Sequence, residues 1–425
     1  MEGLDAPLRE AARRFGTPLY ATDVATLRAA AAAVRDAFPD PWIRSFSVKA
    51  NDVGPIVAEI GTLGFDANVV SAGEWAVARR AGFPNARITF EGIGKTDTEL
   101  RAAVRAAVAG EPLRWLAVES LDEVAVLVRL GRRSRLSVAR PLELLFRLNP
   151  DVAPETMEGL AVGSPGSKFG MTADELSEAV ALANAVPGLV VRGVHLHVGS
   201  QLRAVDAWRD AARRGLAVVA LLGGSLPRFD TLDVGGGFPV LSPSDPAPDP
   251  ARFARELPAL LEAIPADRRP LRLAIEPGRV LIARAGVLVA RVLHVRDRGG
   301  RQVVLDAGMT ELIRPALYGA HHDVIALTSL GRPVDPGASG GSAERQADNE
   351  PARVEGPICE STDHLGEHHL PPLRRGDLVA IADAGAYGAS LSSTYNGRPR
   401  PPQVFIEAGG TLRLARPRGR IAALG

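Results

Sequence analysis

The chain has 425 residues, with 50 Lys and Arg against 49 Asp and Glu and a formal net charge of +1. That length predicts more than one domain, and the near-neutral balance excludes a bulk basic field for nucleic acid or an acidic tail. No apolar run approaches a membrane span, no signal-peptide pattern opens at Met1–Asp5, and the single cysteine, Cys359, excludes an intrachain disulfide. These features point to a cytoplasmic protein.

The first predicted strand is Pro18-Leu19-Tyr20-Ala21. From Ile43 onward, β-rich runs alternate with Ala- and Leu-rich stretches. The runs are Ile43–Lys49, Phe65–Ser71, Ala86–Gly92, Trp115–Ser120, Leu142–Asn149, Val190–Val198, Phe229–Gly235 and Leu271–Glu276. Helical stretches between them include Ala72–Ala81, Asp97–Ala109, Leu121–Leu130 and Thr172–Ala185. Eight βα-like units predict an α/β fold built on a closed (β/α)₈ TIM-like barrel. An open doubly wound sheet is the alternative, but the glycine-rich motif follows the seventh run and not the first.

After about Gly286 the pattern changes to strands with little helix: Val287–Val295, Gln302–Asp306, Asp377–Ile381, Gln403–Glu407 and Thr411–Ala415. The predicted organisation is a barrel over residues 34–286 and a C-terminal β-rich domain over 287–425 that takes in residues 1–33. Gly331–Glu355 is rich in Gly, Ser, Pro, Asp and Glu without periodicity, and predicts a mobile surface loop.

Only three of the fifty basic residues are lysine: Lys49, Lys95 and Lys168. A lysine amine can lose its proton and attack a carbonyl, whereas a guanidinium stays protonated. Lys49 ends the first run, where a barrel delivers reactive groups. The alternative is a surviving surface lysine in a chain whose Arg, Ala, Gly and Pro usage suggests GC-rich codons.

His195 and His197 end the sixth run two residues apart, so both face the barrel interior. They could be metal ligands, but no acidic or further His partner follows at metal spacing, so no metal is expected. A flat ring could instead stack on an aromatic cofactor. A hydrogen-bonded core histidine suits His195 better than His197.

Gly235-Gly236-Gly237 follows the seventh run, where barrels often bind phosphate through backbone N–H groups. Glu276-Pro277-Gly278-Arg279 ends the eighth. Glu276 could neutralise a protonated ring nitrogen, Gly278 could add an N–H to a phosphate, and Arg279 could clamp a carboxylate. A Glu–Arg ion pair or a tight turn are the plainer alternatives. In the second domain, Arg314 lies near Tyr318, Cys359 lies beside Glu360, and Tyr387 sits among small residues.

Together these motifs resemble the pyridoxal-phosphate-dependent decarboxylases of the alanine-racemase-like barrel (fold type III), over roughly Pro18 to Ile406. The motifs are Ser47-Val48-Lys49-Ala50-Asn51, Ser167-Lys168-Phe169-Gly170, His195 to Gln201, Gly235 to Gly237, Glu276 to Arg279, Asp306 to Gly319, Cys359-Glu360-Ser361, Gly385 to Gly388 and Tyr395 to Pro401. The resemblance implies pyridoxal 5'-phosphate held on Lys49, with His197 stacked on its ring. It implies phosphate binding by Ser200, Gly236, Gly237 and Gly278, and Glu276 at the ring nitrogen. Arg279, Arg314 and Tyr318 would hold a distal carboxylate of an amino-acid substrate, and Glu360 its ammonium. Tyr387 would touch both cofactor and substrate. Cys359 would be a proton donor contributed across a homodimer interface, so that active sites are shared. Lys168 would lie near the phosphate or a substrate carboxylate, and Lys95 has no assigned role.

The implied reaction is decarboxylation of meso-2,6-diaminopimelate to L-lysine. The alternatives are another amino-acid or carrier-bound aminoacyl substrate, or an inactive cofactor-binding regulatory protein. The chain departs from the family at Asn68, where Asp is usual, and at Thr362-Asp363-His364, where Gly-Asp-Phe is common. Both departures are expected around the loop that reads the substrate's distal end.

Overall fold

The computed structural model describes residues 3–152, 155–156, 163, 166–240, 247–334 and 349–423. These fall into two compact units, residues 31–280 and residues 1–30 with 281–425. Among the described residues no helix is long and apolar enough to cross a membrane.

The larger unit is a closed barrel of eight parallel strands. They are Ile43–Ser47, Asp66–Val69, Ile88–Phe90, Trp115–Val118, Leu142–Arg147, Leu189–His195, Thr231–Asp233 and Arg272–Ile275. Each lies within its predicted run or begins one residue before it. The last strand closes on the first through Ile43↔Ala274 and Arg44↔Ile275. Trp115, Ala117, Leu145 and Ala274 are fully buried together inside. Burying each large side chain contributes about 1.5–3 kcal/mol.

Helix starts are fixed by a recurring local signal. Ser71, Thr96, Ser120 and Thr172 each accept a hydrogen bond from the backbone N–H of a Glu three residues on. At Thr96 and Thr172 the Glu side chain also reaches back, closing a capping box. Each cap is worth about 1 kcal/mol. It also sets where the strand ends and the helix begins, which keeps the strand-end residues at one face. The loop after the seventh strand is held by Phe238, whose ring packs against Phe38 at 5.6 Å and Phe253 at 5.2 Å.

The second unit is a nine-stranded mixed sheet. Leu19–Asp23 lies between Gly286–Asp297, antiparallel, and Gln403–Ile406, parallel. Its core gathers Leu19, Ala21, Val287, Val289, Ala380 and Val404 over the helix Asp5–Phe15. One expectation is corrected here. Glu350–Glu355, predicted as part of a mobile loop, is a strand paired with Arg301–Leu305 and with His364–Leu370. Its alternation is carried only by Ala352 and Val354, both buried, and charged neighbours hide it. Residues 335–348 of that predicted loop lie outside the described residues.

Candidate active site

Several predicted residues meet at the C-terminal end of the barrel. A 3₁₀ turn, Val48–Ala50, follows the first strand and presents Lys49, half-buried. The loop after the eighth strand packs on this turn. A Cβ on Gly278 would lie 3.2 Å from the Ser47 Cβ and 3.3 Å from the Ala50 Cβ. Arg279 donates to the Ser200 hydroxyl at 3.3 Å.

The glycine run is required by close approach. A Cβ on Gly235 would fall 2.2 Å from the Leu196 carbonyl oxygen, one on Gly236 2.5 Å from the Glu276 carbonyl, and Gly237 has φ +109°. Only glycine fits there without moving the backbone. Gly236 N–H donates to His197 Nδ1 at 3.3 Å, so a neutral His197 carries its proton on Nε2. Burial, then the charges of Lys49 and Arg147, hold His197 well below the ordinary histidine range. It is a flat, neutral ring that keeps part of its surface at the barrel mouth.

Beneath these residues lies a buried polar cluster that the sequence did not reveal. Asn68 donates to Glu276 Oε1 at 2.6 Å. His195 Nε2 lies 3.4 Å from carboxylate oxygens of both Glu91 and Glu276. Burial pushes His195 down to about 4, against the pull of Glu91, so it is neutral. His195 is a core residue as expected, but neither ring nitrogen has an aligned hydrogen-bond partner among the described residues. Glu91, His195 and Glu276 offer ligand atoms within 4.8 Å of one another. The acidic neighbours of His195 therefore come from other strands, which linear metal-ligand spacing could not show. Asn68 also needs correction: it lies in the barrel interior at Glu276, not at a loop reading distal substrate.

A second buried pair flanks the cluster. Arg147 donates to Glu119 at 2.7 Å and lies over the Phe169 ring at 4.8 Å. Burial alone would raise Glu119, but the charges of Arg147 and Lys95 outweigh it and keep Glu119 low. Lys95 itself is buried, pairs with Glu123 at 3.0 Å and donates to the Gly92 carbonyl. Lys168 is exposed over the Phe169 ring. Glu91, Glu119 and Arg147 each end an apolar strand run, and that is the signal that could have found them.

The β-rich unit organises its own candidates. Arg314 opens the short helix Arg314–Tyr318 and is buried, while Tyr318 is half-buried. Its guanidinium donates to His322 Nε2 at 2.8 Å, which leaves the proton on Nδ1, 2.9 Å from the Ala382 carbonyl. Cys359 and Glu360 are exposed. Tyr395 donates to Glu360 at 2.7 Å, and Asn396 donates to the Cys359 sulfur at 3.5 Å. Asp363 pins this loop by accepting from Met309 N at 2.5 Å and Ile358 N at 2.6 Å. It occupies space left by Gly308 and Gly356, where a Cβ would come within 2.3 Å and 2.2 Å of it. Tyr387 is half-buried and has φ +57°, a left-handed conformation seldom adopted by a tyrosine.

The barrel end thus offers an amine, a neutral flat ring, a backbone-donor loop beside a hydroxyl and a guanidinium, and a buried carboxylate. That donor set fits an aromatic aldehyde bearing a phosphate. The model for "Pyridoxal-dependent decarboxylase, pyridoxal binding domain" matches residues 24–283. The chain is 36% identical to a diaminopimelate decarboxylase of Aquifex aeolicus, covering 97% of this chain and 91% of that protein. It is 37% identical to one of Actinosynnema pretiosum, covering 96% and 88%. Diaminopimelate decarboxylase of Helicobacter pylori, solved with L-lysine, superposes with a TM-score of 0.85 at 28% identity over 98% of each chain. The cofactor is pyridoxal phosphate. The chain belongs to the diaminopimelate decarboxylase family of pyridoxal-dependent decarboxylases.

Proposed function

We propose that this chain decarboxylates meso-2,6-diaminopimelate to L-lysine and CO₂, as a cytoplasmic homodimer with shared active sites. Lys49 holds the cofactor covalently and His197 covers one face of its ring. Ser200, Gly236, Gly237 and Gly278 bind the phosphate, with Arg279 held at its edge by Ser200. Glu276 keeps a proton on the ring nitrogen. Bound there, the cofactor supplies an electron sink for the pair left behind when CO₂ departs.

The remaining residues orient and protonate. Arg279, Arg314 and Tyr318 take the distal carboxylate, and His322 fixes the Arg314 guanidinium. Glu360 takes the distal ammonium, oriented by Tyr395. Tyr387 touches both cofactor and substrate. Cys359 delivers the proton to the carbon that has lost its carboxylate. The exposure of Cys359 and Glu360 supports their serving a site in a second copy, within a β-rich domain (1–33, 287–425) that completes a barrel of residues 34–286. A lone exposed thiol suits a reducing compartment.

What carries this reading is the presence of Lys49 together with Arg279, Arg314, Tyr318 and Glu360 in a chain matched over nearly its full length by relatives of that name. The test is lysine formation from meso-diaminopimelate by purified protein with added pyridoxal phosphate, with ornithine and arginine in parallel. Lysine from diaminopimelate, and little product from the other two, is expected. Turnover of ornithine with none of diaminopimelate would overturn the substrate assignment.

A further inference from the structure

We propose that Glu91 is a positioning residue that carries a proton and donates it to Glu276, so that one carboxylate alone stays charged at the floor of the barrel mouth. This rests on the role given above to Glu276. Five buried polar side chains from five strand ends converge there: Asn68, Glu91, His195, Asp233 and Glu276. Three of them are carboxyl groups. A carboxylate oxygen of Glu91 and one of Glu276 lie within 4.8 Å of each other, and two buried carboxyl groups that close share a proton, because two anions in a dry interior repel.

The nearby positive groups do not remove that requirement. Arg147 is paired with Glu119 at 2.7 Å. His195, between the two carboxylates at 3.4 Å, is neutral and has one proton to offer. Lys49 acts on His195 through its charge, and in the loaded enzyme its amine would be committed to the cofactor. The Asn68 amide donates to Glu276 at 2.6 Å. Asp233 accepts from Gly235 N–H at 2.9 Å, yet burial and the charges of Glu276 and Glu91 push it well up. Burial, then the Glu276 charge, likewise push Glu91 up. Glu276 thus takes the Asn68 donor and has the proton-bearing Glu91 beside it. A cation among Glu91, His195 and Glu276 would face the Asn68 N–H and is disfavoured.

The sign of the pH effect follows. A carboxyl raised in the folded state binds its proton more tightly there than in the unfolded chain. Its contribution is present at low pH and is lost as pH rises from about 4.5 through the folded value. Glu91→Gln, a neutral donor of the same shape, removes that dependence.

The experiment compares wild type, Glu91→Gln, Glu91→Ala and Glu276→Gln. Apoprotein is read by infrared absorption of protonated carboxyl groups and by Tm from about pH 5 to about pH 8. The loaded enzyme is read by kcat. Glu91→Gln is expected to lose a protonated-carboxyl band and to show a Tm that falls less with rising pH. Glu91→Ala should lose about tenfold to a hundredfold in kcat, and Glu91→Gln should recover most of that loss. Identical infrared spectra and identical Tm slopes for wild type and Glu91→Gln would overturn the proposal. So would a Tm rise with added Zn²⁺ that Glu91→Gln abolishes, which would make the cluster a cation site. Full activity of Glu276→Gln would instead defeat the role of Glu276, while the apoprotein readouts still report on Glu91.

Discussion

The roles proposed for Lys49 and Cys359 make separable demands on the reaction. Lys49→Ala removes the proposed covalent attachment point, so turnover is expected to fall by roughly 10³-fold or more. Borohydride treatment of the loaded variant should then trap no cofactor on the protein, as mass spectrometry of its peptides would show. Cys359→Ala should behave differently, losing about 10²- to 10⁴-fold in kcat while borohydride still traps the cofactor on Lys49. Full activity in Cys359→Ala would remove it as the proton donor. The resemblance carried by the motifs supplied both residues. What it could not supply was their support. Asn396 at the sulfur and Tyr395 at Glu360 are contacts across 37 and 35 residues of sequence. The lysine scarcity that drew attention to Lys49 has a second explanation in Lys95. Its side chain is fully buried against Glu123, where a compact ammonium fits.

At the level of elements, the loops are held by buried charges and by glycines that make room for them. Lys95 ties the segment after the third barrel strand to the helix Leu121–Arg133 through Glu123. Lys95→Met strands the Glu123 carboxylate and should cost about 3–5 kcal/mol, read as a lower urea midpoint. Gly356→Ala forces Asp363 away from the N–H groups of Met309 and Ile358. It should cost about 1–3 kcal/mol and lower kcat as the Cys359 loop shifts, with the barrel residues unchanged. His195 sets an acid limit. It is neutral when folded, at about 4, and protonates more readily when unfolded, so the unfolded chain binds more protons between those values. Stability should fall by about 3 kcal/mol as pH drops from about 6.5 to about 4, and His195→Asn should flatten that limb. Most of these couplings were not legible in the sequence, because they join residues from different strands or loops. The helix starts were within reach, since a Ser or Thr three residues before Glu recurs after the barrel strands.

Over the whole molecule, the alternating runs identified all eight barrel strands because buried parallel strands leave short, apolar, β-branched segments. The β-rich unit was less legible. His364–Leu370 contains three histidines and a glutamate, and its inward residues alternate with polar ones at the sheet edge. Its partner Glu350–Glu355 is masked by charge in the same way. In the proposed homodimer, Lys49 belongs to the barrel of one copy and Cys359 to the β-rich unit of another, both acting on one substrate. Mixing the separately inactive Lys49→Ala and Cys359→Ala proteins, under conditions that let subunits exchange, tests that directly. In a symmetric dimer half the molecules become hybrids, and each hybrid regains one of two sites, so about a quarter of wild-type lysine production from meso-diaminopimelate should return. A mixture that produces no more lysine than its parts, after exchange has been verified, would contradict the account.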